Sequence, residues 1–306
     1  MNKVKIIVDS TVDLTKEIYE KYNIEVLPLN VSFEEETYQD GVNLDIETLF
    51  KKVEETGKLP HTSACSPELI RATFKKYINM GMDIIFLGLS STMSSNFQNA
   101  FIAKASFRDD RIYLVDSKSL STGTGLLVLK AAKLVEAGKC AKEIAEELEK
   151  TVPNVVAQFT IEQLEYLHKG GRCSGASKIF GHIFHIRPYI KVKDGEMYVY
   201  KKPRGPMKVA VNEQLQDIKE ALPNVDQSAV IITHSLVSDE LLEYTKTELA
   251  KIVDPKSIIV TTSGCVISSH CGKGCIGILY IKKLESLSAF WKTYYLQNKK
   301  PKCIYS

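Results

Sequence analysis

The chain has no run near the roughly 18 consecutive apolar residues of a membrane span, which excludes a helical anchor. Its opening, MNKVKIIVDSTVDL, carries an apolar run of three residues, too short for a signal peptide. Seven cysteines, an odd number, are spread from Cys65 to Cys303. A cytoplasmic protein with reduced thiols is the expectation. Charge is almost balanced, 40 Lys and Arg against 37 Asp and Glu, a net of +3. Residues 284–306 carry that surplus, with Lys292, Lys299, Lys300 and Lys302 against Glu285. The rest is neutral and lacks the concentrated basic face that a nucleic-acid groove needs.

Several chemical signatures are missing as well. There is no GxxxxGK[ST] loop and no GxSxG elbow, so neither a nucleotide hydrolase nor a common serine hydrolase is supported. No pair of carboxylates stands out as a general acid and base. Cys265, His270, Cys271 and Cys275 lie close together but lack the CxxC clip of structural zinc, so the cysteines read as small core residues and no metal is expected. The segment GKGCIG at 272–277 matches GxGxxG but precedes a strand instead of following one, so no dinucleotide cofactor is expected.

What is present is the texture of an α/β protein. Hydrophobic residues are 44% and charged residues 25%, ordinary for a globular chain. At roughly 150 residues per domain, the length predicts two. Over 1–154, short apolar strands (4–8, 24–32, 83–89, 111–115) alternate with helices (one capped by Asp13 or Thr11 with Leu14 on its apolar face, then 44–55, 67–77 from a Ser66-Pro67 start, 94–107, 123–137 and 140–151). That alternation predicts a mostly parallel sheet with helices on both faces. Over 155–283 the strands lengthen (155–161, 189–193, 197–201, 229–234, 257–262, 277–281). Asp194-Gly195 between two apolar runs predicts a hairpin, so the second domain is α/β with a mixed sheet. Residues 284–306 form an extra segment of undetermined role. The apolar stretch 179–186 predicts a buried helix or a cavity wall.

Four loops are rich in hydroxyls: Asp9-Ser10-Thr11, HTSACS at 61–66, SSTMSSN at 90–96 and DSKS at 116–119. In an open parallel sheet such loops share the edge at the carboxyl ends of the strands. Two of them lead into helix starts, where free N–H groups and a partial positive charge favour an anion. Thr62, Ser63, Ser94 and Ser95 would suit a carboxylate or a phosphate there. Read singly, each is equally a helix cap or a turn residue. His270, read as a loop histidine beside two glycines, is a candidate donor to an oxyanion. Arg172 and Arg204 sit in loops next to glycines and are either surface charges or anion or partner contacts.

Seven segments together resemble the DegV family, the fatty-acid-binding proteins that include the B subunit of bacterial fatty acid kinase. They are KIIVDSTVDL at the start, HTSACSP at 61–67, LSSTMSSNFQNA at 89–100, LVDSKSLSTGTG at 114–125, LEYLHKGGRCS at 164–174, KPRG at 202–205 and SSHCGKGCIGI at 268–278. They come in family order over about 3–283. The resemblance implies a fatty acid held between two domains, its acyl chain in a tunnel of the second. Thr62 and Ser94 would be the main carboxylate contacts, Ser63, Ser95 and Asn96 their neighbours, and His270 the histidine near the head group. Arg172 and Arg204 would face a separate ATP-dependent kinase subunit that makes the acyl-phosphate. The chain itself would not be an enzyme, and transient membrane contact would serve lipid exchange. The sequence departs from the family pattern at Cys65, Ser95, Phe97 and Lys273, the last expected to put a cation near the site. The rival reading is a phosphotransfer enzyme using His270 as phosphoryl acceptor or acid–base group. A sugar- or anion-binding protein ranks last, because the polar loops lack aromatic platforms.

Overall fold

The structure is a computed structural model that describes residues 2–108, 110–174, 176 and 186–283. The extra segment 284–306 and most of the apolar stretch 179–186 lie outside the described residues. Among the described residues the fold is mixed α/β, built on a parallel sheet and a separate mixed sheet.

The parallel sheet has the order Glu25–Leu27, Val4–Asp9, Asp83–Gly88, Ile112–Asp116. Its central strands are nearly continuous apolar runs because both faces are covered. The mixed sheet has the order Cys173–Ser174, Glu196–Lys201, Tyr189–Lys193, Gln158–Thr160, Cys275–Lys282, Val225–Ser235, Ile258–Thr262, with Val155–Val156 also pairing Cys275–Lys282. The hairpin turn forms at Asp194 and Gly195, both at positive φ (52° and 88°), the geometry that Asp-Gly supplies most cheaply.

Between the two sheets lies the helix Thr122–Glu136. Its stretch Thr122–Leu129, and Ala131 and Ala132, are buried, which is why its sequence shows no polar face. One apolar core runs through it, joining Val8 and Leu87 of the parallel sheet to Ile231 and Leu279 of the mixed sheet. The Gly195 carbonyl also accepts hydrogen bonds from the Ser90 hydroxyl (2.9 Å) and the Thr92 hydroxyl (2.5 Å), so the mixed-sheet hairpin is latched to a loop of the parallel sheet.

Four local expectations change. The run 24–32 is two strands: Glu25–Leu27 stays in the parallel sheet, and Asn30–Phe33 enters a small antiparallel sheet with Glu36–Gln39 and His61–Ser63. Pro28 between them ends the first pairing. His61–Ser63 is therefore an edge strand of that small sheet, where a plain loop was expected. The first α-helix is Lys16–Lys21, and Asp13, a proposed cap, stands outside it at φ 54°. His270 lies in the last turn of a helix, Cys265–Cys271, not in a loop.

Candidate functional site

The short helix Cys265–Cys271 explains itself only through distant residues. Gly264 at its start has no side chain to cap it. Two buried carboxylates do so instead. Asp13 accepts from the Gly264 N–H (2.8 Å), and Asp40 accepts from the Cys265 N–H (2.7 Å). Both sit where the helix field favours negative charge. Burial still pushes both carboxyls above their ordinary range, and among the described residues no Lys or Arg is a hydrogen-bond partner of either. Ser10 and Ser121 donate to them from the side (2.8 and 2.5 Å).

Beside this helix is a cavity of about 260 Å³. Ser263, Val266, Ile267, His270 and Cys271 line it, the spacing of one helical face and its lead-in. Most of the remaining wall is apolar, with Leu89, Met93, Leu120, Phe159 and Met197 among the contributors. At the His270 end the wall is polar. Thr62, Ser63, Ser94, Ser95, His270 and Arg172 all line this one cavity, brought there from four separate parts of the chain.

The hydrogen bonds at that end give it a direction. The Thr62 hydroxyl lies 2.8 Å from Nε2 of His270. Nδ1 of His270 is buried without a hydrogen-bond partner, packed against Gly170. We assign the ring proton to Nε2, since the other tautomer would bury an N–H with no acceptor. His270 then donates to Thr62, and the hydrogen of Thr62 is left to donate into the cavity. The Ser94 hydroxyl accepts from the Asn96 N–H (3.1 Å), which likewise leaves its own hydrogen for a guest. Burial, helped by the nearby Arg172 charge, pushes the His270 proton affinity down to about 4. The imidazole is neutral at pH 7, and Arg172 supplies the positive charge. Its guanidinium is fixed by a bond to the Gly170 carbonyl (2.6 Å). Two hydroxyls and a cation on the wall of one cavity are the donors that suit an anion.

Two predicted residues stand elsewhere. Asn96 is fully buried and does not line the cavity. Its amide donates to Asp9 (2.9 Å) and accepts from the Cys65 N–H (3.2 Å), while Asn99 holds the Cys65 carbonyl (2.8 Å). These bonds tie the loop that carries Thr62 to the one that carries Ser94. Arg204 is exposed and bridges to Ile186, away from the cavity. Lys273 does not line the cavity and reaches Glu54 instead (3.6 Å). Sequence reasoning missed Ser121, Thr233, Ser235 and Ser263, which also line the cavity. Thr233 and Ser235 alternate after the apolar run Ala229–Ile232 of their strand, a signal that one face meets something polar.

A broad groove of about 750 Å³ adjoins the polar end and shares Thr62, His270 and Arg172 with it. Charged residues, including Glu34, Glu36, Lys52 and Lys58, line the groove.

Comparison with known proteins agrees in extent and in fold. The profile of a family described as uncharacterised proteins, DegV family, matches residues 3–283. A DegV domain-containing protein of Clostridium acetobutylicum is 35% identical over 283 residues, covering 92% of this chain and all of that protein. A fatty acid-binding protein of Thermotoga maritima is 30% identical over 280 residues, covering 90% and 96%. The structure of a fatty-acid-binding DegV family protein from Thermus thermophilus superposes with a TM-score of 0.85 at 27% identity, covering 92% and 99%. With sequence and fold in agreement along nearly its whole length, this chain belongs to the DegV family.

Proposed function

We propose that this chain binds one long-chain fatty acid, with the carboxylate at Thr62, Ser94 and His270 and the acyl chain along the apolar wall of the cavity. The observation that carries the reading is that Thr62, Ser94, His270 and Arg172 share one mostly oily cavity; with the ring proton assigned to Nε2, both hydroxyls keep a hydrogen for a guest. Burying a carboxylate without partners costs several kcal/mol. Charge-assisted bonds from Thr62 and Ser94, and the field of Arg172, offset that cost. The chain adds roughly 0.8 kcal/mol for each buried CH₂. Ser63 and Ser95 are neighbouring donors. The relatives named as fatty-acid-binding proteins favour the same ligand class.

We further propose that the chain is not itself an enzyme and presents the carboxylate to a separate ATP-dependent kinase subunit. Support comes from the groove that opens onto the carboxylate end, with Arg172 on its wall and the exposed Arg204 as a second contact. In this reading residues 1–154 and 155–283 are two domains with the ligand between them. The setting is the cytoplasm, and lipid exchange goes through transient membrane contact. Among the described residues no helix is long and apolar enough to cross a membrane. The phosphotransfer alternative gains nothing from the geometry: Nε2 of His270 is engaged by Thr62, and Nδ1 is walled off by Gly170.

Native mass spectrometry of the purified protein, followed by titration with oleate and methyl oleate, tests the ligand. The expected result is a bound acyl species and a strong preference for the acid. Absence of any acyl species together with no uptake of oleate overturns the reading. Presentation is tested by adding a fatty acid kinase catalytic subunit and labelled ATP. Acyl-phosphate should form only when this chain is present.

A further inference from the structure

The cavity has a second polar patch that the carboxylate does not use. Ser121, Thr233 and Ser263 line it, and all three are at least nine-tenths buried. They belong together. Thr233 bonds to Thr122, the neighbour of Ser121, and Asp13 joins the Ser121 hydroxyl to the Gly264 N–H, the neighbour of Ser263. Ser121 is also held at φ 49°, a backbone conformation that side-chain-bearing residues seldom take and that clusters at ligand sites.

Its distance from the carboxylate follows from the helix between them. Cys265 and His270 are five residues apart on that helix, about 7.5 Å at the α-helical rise, and Ser263 lies two residues before its start. A ligand lying along Val266 and Ile267 therefore meets this second cluster near the middle of a long acyl chain.

The polarity here is opposite to that of the carboxylate end. Ser121 donates to Asp13 (2.5 Å), and Ser263 donates to the His234 carbonyl (3.3 Å). Thr233 is engaged with both Thr122 and Thr261. The bonds of Thr233, and a further one between Ser263 and Ser268 (2.9 Å), can run in either direction, so every hydrogen has an acceptor inside the wall and a lone pair is left for the guest. Such a wall rewards a guest that donates a hydrogen bond, and it gives nothing to a methylene or a carbonyl. We propose that the preferred ligand is a fatty acid hydroxylated near mid-chain, its hydroxyl donating to the Ser121, Thr233 and Ser263 cluster.

This inference rests on the fatty-acid reading, and the experiment separates the two. Displacement of a fluorescent fatty acid is measured with stearate, 10-hydroxystearate and 10-oxostearate on the wild-type protein. One additional buried hydrogen bond predicts that the hydroxy acid binds roughly three- to tenfold tighter than stearate, while the oxo acid gains nothing. In Thr233→Val and Ser263→Ala the ratio of hydroxystearate to stearate affinity should fall toward one. Equal binding of stearate and 10-hydroxystearate, or an equal gain from the oxo acid, overturns the inference and leaves the fatty-acid reading standing. Failure of all three acids to displace the probe overturns both. The wild-type comparison needs no variant to fold.

Discussion

The Thr62 hydroxyl and the His270 imidazole meet at 2.8 Å although 208 residues separate them along the chain. The contact joins an edge strand of the small antiparallel sheet to the last turn of the helix Cys265–Cys271. With the ring proton assigned to Nε2, His270 donates and Thr62 keeps its hydrogen for a guest, and the first prediction follows from that.

Replacing Thr62 by Val or Ser94 by Ala removes a donor to an anion while changing little volume. A hydrogen bond to a charged group contributes about 1.5–3 kcal/mol, so fatty acid affinity should fall about tenfold or more. The methyl ester, which carries no charge, should lose far less. Calorimetric titration with oleate and methyl oleate reads the difference. Equal losses for acid and ester would mean that these hydroxyls do not recognise the carboxylate.

Gly170 gives a sharper test, because it touches the imidazole from the far side. A Cβ added there would stand 2.6 Å from Nδ1 of His270. Its φ lies outside the left-handed region, so Gly170→Ala brings no backbone strain. The ring must turn away and its bond to Thr62 must break. The expected outcome is roughly a fivefold or larger loss of fatty acid affinity, about one neutral hydrogen bond, measured on folded protein below a denaturation midpoint that also falls.

The pH dependence of stability carries the signature of the same histidine. Unfolded, His270 titrates near 6.5; folded, it is held down to about 4 by burial and the Arg172 charge. Between those values the unfolded chain takes up a proton and the folded chain does not. Stability is therefore retained above pH 6.5 and lost as pH falls through the window, by on the order of 3 kcal/mol. Asp9, Asp13 and Asp40 act with the opposite sign, since burial raises their proton affinity and acid relieves it. A difference measurement isolates the histidine. Urea midpoints at pH 7 and pH 4.5 should drop less in His270→Gln than in wild type, and parallel drops would assign the loss to other groups.

The latch between the sheets is tested at Gly195. An added Cβ would lie 2.6 Å from the Ser90 hydroxyl, and φ of 88° strains any residue but glycine. Gly195→Ala should destabilise the protein by about 1–3 kcal/mol, seen as a lower urea midpoint. A midpoint within error of wild type would show that the hairpin turn rests loosely on the Ser90 loop.

Legibility from sequence followed the range of the interactions. The helix start at Ser66-Pro67 was readable because its cap, the Ser66 hydroxyl bonding the Leu69 N–H, is three residues long. The Asp194-Gly195 turn was readable for the same reason. The helix Cys265–Cys271 was not, because its capping groups are Asp13 and Asp40, more than 200 residues away, and Gly264 offers no local sign. Asp13 itself misled: a carboxylate ahead of a helical pattern reads as a local cap, yet it serves a different helix. The hydroxyls of the carboxylate end were visible as an excess over what capping needs. Ser121, Thr233 and Ser263 were not singled out, since one serine or threonine in a strand or loop is ordinary until the strand's facing side is known.

The way Asp13 and Asp40 hold the helix Cys265–Cys271 also bears on how a guest gets in. Both acids come from the first forty residues, and the helix comes from near the end of the described chain. Swinging the two sheets apart on a hinge would strip both buried acids of their N–H donors while also splitting the core around Thr122–Glu136. On the proposed function, exchange with the framework closed follows, through side chains yielding where cavity and groove share Arg172, so that the protein trades its cargo the way a sleeve does and not the way a jaw does.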